Sequence, residues 1–159
     1  HIQEYLNTRI KDRDFFQPFA PLVTEEAALK FFEMRVPIPS SARYMLLTVD
    51  VRKEYRERLP GIVHVDGTAR VQVLKREWNP RLYALLTEFE RLTGFAVVIN
   101  TSFNQHEPIV CSPADALKTF RASGLDLLVM GDLVVEAPVR APGRRMPSRR
   151  ELSYNPLSS

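Results

Sequence analysis

Asn100, Thr101, Ser102 and Asn104 place two amides and two hydroxyls within five residues, directly after the apolar run Ala96-Val97-Val98-Ile99. Such groups donate hydrogen bonds without carrying charge, so they orient a carbonyl or phosphate oxygen while a nearby Arg or Lys supplies the attraction. The end of a strand in an α/β domain is where a ligand is commonly met. An Asx-turn that simply closes the strand is the plainer alternative. Upstream, the stretch His64-Val65-Asp66-Gly67-Thr68-Ala69-Arg70-Val71-Gln72 carries a turn signal at Asp66-Gly67 between β-prone arms. If residues 70–74 are extended, Arg70 and Gln72 share one face, opposite Val71 and Val73. Arg70 is then either a bidentate phosphate ligand or an ordinary surface arginine. His64 has no second histidine at metal-binding spacing and reads as a structural histidine.

A third polar group opens the chain. Arg9, Lys11 and Arg13 interleave with Asp12 and Asp14, ahead of Phe15-Phe16-Gln17-Pro18-Phe19-Ala20-Pro21. The prolines forbid a helix there, so an extended segment is expected, its phenylalanines docked in the core and its cations held in place. Salt bridges to Asp12 and Asp14 are the alternative use of those cations. No Gly-x-Gly-x-x-Gly or Gly-x-x-x-x-Gly-Lys pattern occurs, nor a His-x-x-x-His, a cysteine cluster or a Gly-x-Ser-x-Gly elbow. Any phosphate chemistry must therefore use arginines and loop donors.

These residues need a scaffold, and 159 residues at 45% hydrophobic and 26% charged suffice for one soluble domain with its own core. The apolar runs are too short for a transmembrane helix, and the start lacks a signal-peptide core, which points to a cytoplasmic address. The single cysteine, Cys111, agrees with a reducing compartment and reads as a small buried hydrophobe. The net charge of +3 sits in residues 138–159, where five arginines face one glutamate, leaving 17 basic and 18 acidic residues elsewhere. That stretch reads as a basic tail, either a solvated linker or a grip for nucleic acid or an acidic neighbour.

Several helices and strands are punctuated clearly. Thr24 caps a helix over residues 25–34, and a β-rich run covers residues 44–51. Residues 55–59 carry three charges and read as an exposed connection. Asn79-Pro80 starts a helix that Gly94 ends, with Leu82, Leu85, Leu86, Phe89 and Leu92 as its apolar face. Residues 96–99 then form a strand buried on both faces. Ser112-Pro113-Ala114-Asp115 starts a second helix ended by Gly124. A buried strand over residues 127–130 and a short one over residues 133–136 follow. Strands alternating with helices make an α/β fold, with a domain over residues 1–137 and the tail over residues 138–159.

Taken together, Leu6-Asn7, Ile10-Lys11-x-Arg13, Pro18-Phe19-Ala20-Pro21, the stretch from His64 to Gln72, Asn100-Thr101-Ser102-Phe103-Asn104 and Glu107-Pro108-Ile109-Val110 resemble one known domain. It is the C-terminal domain of the carbamoyltransferases of antibiotic and nodulation-factor biosynthesis. The resemblance implies a single YrdC-like domain, a twisted mixed sheet flanked by helices. It implies binding of carbamoyl phosphate and ATP, with Mg2+ accompanying ATP, and formation of carbamoyl adenylate. It also implies a separate N-terminal actin-like partner domain, holding the transfer-site metal, that is absent from this chain. By the same resemblance Arg70, Asn100 and Ser102 are the catalytic ligands, and Lys11, Arg13, Thr101 and Asn104 bind the nucleotide. YrdC-like domains are also associated with RNA, which makes a nucleotide- or RNA-binding module the alternative. Gln17 stands where the family usually carries arginine, which removes one cation from a phosphate site, and His106 stands where many members have glycine.

Overall fold

The computed structural model describes residues 5–7, 11 and 18–138. In it Thr24 ends strand β1 (Ala20–Thr24) and caps helix α1 (Glu25–Phe31), its hydroxyl accepting from the Ala27 amide at 3.2 Å. Glu25 and Glu26 then sit where the helix dipole favours negative charge. β2 (Leu47–Asp50) follows a 3-10 turn at Ser40–Tyr44, and a one-turn helix, α2 (Lys53–Arg56), comes next. Strand β3 (Thr68–Leu74) precedes helix α3 (Pro80–Thr93), which leads to β4 (Val97–Asn100).

These four strands form one mixed sheet in the order β2-β3-β1-β4, with β1 parallel to β3 and the β1–β4 and β2–β3 pairs antiparallel. Helices α1 and α3 pack against it, so the α/β class and the mixed sheet flanked by helices are as expected. Val23, Ala69, Val71, Val73 and Val97 bury one face. The registers Ala20↔Asn100, Leu22↔Gln72 and Thr48↔Arg70 put Arg70, Gln72 and Asn100 on the other.

Contacts group the chain into two compact units, residues 18–102 in one and residues 5–7, 11 and 103–138 in the other. The second holds helix α4 (Pro113–Ser123) and a hairpin of β5 (Leu127–Met130) and β6 (Leu133–Glu136) around Ala116, Phe120 and Leu128. Ser112 caps α4, accepting from the Asp115 amide at 3.1 Å and donating its own proton to the Asp115 carboxylate at 2.6 Å. Among the described residues no helix is long and apolar enough to cross a membrane.

Several expectations change, among them the bounds of two elements: the helix expected over residues 25–34 ends at Phe31, and the β-rich run over residues 44–51 yields a strand only at Leu47–Asp50. Among the described residues strand β4 is an edge strand paired only with β1, so its last three residues are half-exposed rather than covered on both faces. The arm before Asp66-Gly67 is not a strand, because β1 and β2 already occupy both sides of β3; residues 64–67 instead make a tight turn closed by Gly67 N donating to His64 O at 2.9 Å. Residues 55–59 are not a simple exposed connection: Tyr55 lies in α2 with its ring 4.8 Å edge-on to Phe31, and Leu59 is buried. The core takes a narrower arc of α3 than its apolar pattern. Leu86 is fully buried and Leu82 and Tyr83 half-buried, while Leu85, Phe89 and Leu92 form an exposed flank. β5 is not buried either, since among the described residues it pairs only with β6 and leaves Leu127 and Val129 exposed. Cys111 is exposed at the entry to α4, its thiol 3.4 Å from the Asp115 carboxylate, which raises its pKa and disfavours the thiolate. Arg13, Gln17 and the tail beyond Pro138 lie outside the described residues.

Candidate functional site

Strand β3 carries Arg70 and Gln72 on one face because alternate residues of a strand point the same way. The Arg70 guanidinium is exposed and has no ion-pair or hydrogen-bond partner among the described residues. An arginine cannot lose its charge at any ordinary pH, so this is a permanent cation open to an anion.

Gln72 is committed at both ends of its amide. Its Nε2 donates to the Arg43 carbonyl at 3.1 Å, and its Oε1 accepts from Asn100 Nδ2 at 2.5 Å. Arg43 is itself anchored, its guanidinium 4.5 Å from the Trp78 ring and 5.2 Å from the Tyr44 ring. A backbone carbonyl can only accept, so the amide group of Gln72 must face Arg43 and its oxygen must face Asn100. Asn100 is thereby turned with its Nδ2 toward Gln72.

Leu22 pairs with Gln72, and Ala20 pairs with Asn100. Extending that register by two residues sets Arg70, Ala20 and Asn100 level on three adjacent strands. Two strand spacings, about 10 Å, separate the Arg70 and Asn100 backbones. Thr101 and Ser102 continue from Asn100 beyond the strand end, both exposed. The structure therefore joins the Arg43 carbonyl, Gln72 and Asn100 by hydrogen bonds and sets Arg70 on the same sheet face of this unit.

The turn before β3 is braced from within. Ionised Asp66 accepts from the Thr68 hydroxyl at 2.7 Å and from the Thr68 amide at 3.0 Å, and these bonds hold its carboxyl below the usual range. With that proton spent, the hydroxyl can only accept from His64 Nδ1, 3.1 Å away. His64 is thus tied to the turn through Nδ1, but it is not the fully satisfied histidine expected, since its Nε2 is buried with no hydrogen-bond partner among the described residues. Beneath it Gly67 adopts a φ of 85°, and Arg56 Nε donates to the Val51 carbonyl at 2.8 Å.

The other unit holds a second polar group. Lys11 is buried, and its ammonium donates to the Asn104 carbonyl at 2.5 Å and to Asn104 Oδ1 at 3.3 Å. Asn104 Nδ2 donates to the Glu107 carbonyl at 2.8 Å. Glu107 in turn accepts from the Thr119 hydroxyl at 2.5 Å, and its carboxyl falls to about 2, chiefly through that bond and then through its own backbone amide. Lys11 and Asn104 are brought together, while Arg13 lies outside the described residues. Among the described residues no three side chains of metal-ligating type cluster.

Sequence reasoning placed Gln72 on the Arg70 face but not in the site. Its spacing from Arg70 was the available signal. Nothing local marked Thr119, a mid-helix residue whose partner lies 12 positions away.

The profile of the family described as Carbamoyltransferase C-terminus matches residues 1–137. Among known proteins, nodulation protein NolNO of Sinorhizobium fredii is 39% identical, over 99% of this chain and 23% of its own length. An uncharacterized protein of Synechocystis sp. is 41% identical over 84% of this chain and 25% of its own. Nodulation protein U of Rhizobium tropici is 38% identical over 66% of this chain and 17% of its own. The chain thus spans about a quarter or less of the length of these curated relatives. The extent of the profile match and these identities establish that the chain belongs to the carbamoyltransferase C-terminus family.

Proposed function

We propose that this domain binds carbamoyl phosphate and ATP, the latter with Mg2+, and forms carbamoyl adenylate for transfer by a separate actin-like domain. The observation that carries the reading is Arg70: an exposed guanidinium without a partner among the described residues, on the same sheet face as an Asn100 amide already held in one orientation. A phosphoryl group suits the cation, and a neutral carbamoyl group suits the amide.

Carbamoyl phosphate first loses its phosphoryl group to water as inorganic phosphate, leaving carbamate. A carbamate oxygen then attacks the α-phosphorus of ATP, and pyrophosphate leaves. Arg70 holds the phosphoryl oxygens through two parallel N–H donors, while Asn100 and Ser102 hold the carbamoyl end. Fixing the reactants side by side matters because free carbamate decomposes in water. Lys11, Arg13, Thr101 and Asn104 keep the nucleotide role that the family resemblance assigns them.

Calorimetric titration of the purified chain with carbamoyl phosphate and a non-hydrolysable ATP analogue, with magnesium present, tests this. Saturable binding that weakens about 10- to 100-fold in Arg70→Ala is expected, the worth of a charge-assisted hydrogen bond. Undiminished binding by Arg70→Ala overturns the site, and no heat from a folded parent overturns autonomous binding.

A further inference from the structure

We infer that Gln72 is the positioning residue that sets substrate specificity, by turning Asn100 so that its amide reads the amino group of a carbamoyl ligand. The inference rests on the functional reading above and adds the selectivity of the site. Asn100 spends one N–H on Gln72 and has no other side-chain partner among the described residues. Its Oδ1 acceptor and its second N–H donor are left over, and the residue is half-exposed.

An acceptor beside a donor complements a carbamoyl group, which offers an N–H donor beside a carbonyl acceptor. An acetyl group offers only the carbonyl. It would leave Asn100 Oδ1 facing a methyl, and a site built for an N–H rejects the analogue that lacks it. The discrimination depends on the amide not rotating. Asn100 alone could flip by 180° and present its amide nitrogen instead. Gln72 prevents this only because the Arg43 carbonyl has already fixed the direction of its own amide. One orientation passes from a backbone carbonyl through two side chains to the ligand.

Two stable probes differ only at that group: phosphonoacetamide carries the NH2, and acetonylphosphonate carries a methyl in its place. Calorimetry on the full chain should show the parent preferring phosphonoacetamide by about tenfold. Gln72→Leu removes the acceptor and should bring the ratio to about one while both phosphonates still bind. Gln72→Glu keeps an acceptor toward Asn100, so it should restore most of the ratio even if its charge weakens both probes together. A purely structural role for Gln72 would weaken both probes equally and leave the ratio unchanged, which overturns the inference. In the parent, the Asn100 side-chain amide resonances should shift more with phosphonoacetamide than with acetonylphosphonate. That measurement stands even if a variant fails to fold, and equal shifts overturn the inference. A parent that binds both probes equally overturns the Gln72 role alone. One that binds neither overturns the functional reading and the inference with it.

Discussion

The Thr119 hydroxyl donates to the Glu107 carboxylate at 2.5 Å, tying the middle of α4 to the loop that leaves the polar turn. The same loop residue accepts Asn104 Nδ2 on its backbone carbonyl, and Asn104 holds the Lys11 ammonium. A single ionised carboxylate thus anchors the segment on which Lys11 depends.

Acid should loosen that anchor. The Glu107 carboxyl is depressed from 4.5 to about 2, so its contribution to stability is complete above about pH 4.5 and is lost as the pH falls toward 2. The group is partly exposed, and solvent screening keeps the effect small. Urea midpoints measured between pH 6 and pH 2 should fall more steeply in the parent than in Glu107→Gln. Parallel curves would show that the ionised form is not favoured by folding.

Charge and geometry at Arg70 are separable. Arg70→Lys keeps the cation on β3 but loses the planar fork that matches a phosphoryl group. Its affinity for carbamoyl phosphate should fall between those of the parent and Arg70→Ala in the same calorimetric titration. A lysine variant as weak as the alanine one would mean that geometry alone matters.

Two neighbouring leucines of α3 should behave oppositely. Leu86 is fully buried and Leu85 is 61% exposed. Leu86→Ala should cost about 2–5 kcal/mol in urea unfolding, and Leu85→Ala should stay within about 0.5 kcal/mol. Equal costs would place the core-facing arc of the helix elsewhere.

Gly67 sits at a φ of 85°, and a Cβ there would collide with the Arg56 guanidinium. Gly67→Ala should cost about 1–2 kcal/mol for the left-handed backbone. Arg56 can move aside, but only by giving up its bond to the Val51 carbonyl. Combining Gly67→Ala with Arg56→Ala should therefore cost less than their separate effects added, as read by urea midpoints, because both act on one turn. Simple additivity would separate the guanidinium from the turn.

Local punctuation was legible wherever chemistry within four residues decides the outcome. The caps at Thr24, Asn79 and Ser112 and the left-handed ends at Gly94 and Gly124 are where their residue types put them. The polar turn after Ile99 and the shared face of Arg70 and Gln72 were legible for the same reason, since strand alternation needs no partner. Pairing was another matter. Pro18 and Pro21 argue against a central strand, yet Ala20–Thr24 is one, and its ladder with β3 begins at Leu22, just past the proline.

The identity of the chemical groups was therefore written in the sequence, and their orientation was not. Which way the Asn100 amide turns depends on Gln72, 28 residues away, and on the Arg43 carbonyl, a further 29 residues before it. Which leucines of α3 are buried depends on how wide a surface the sheet offers that helix. Both are contacts between segments remote along the chain, whose separation tertiary packing alone sets.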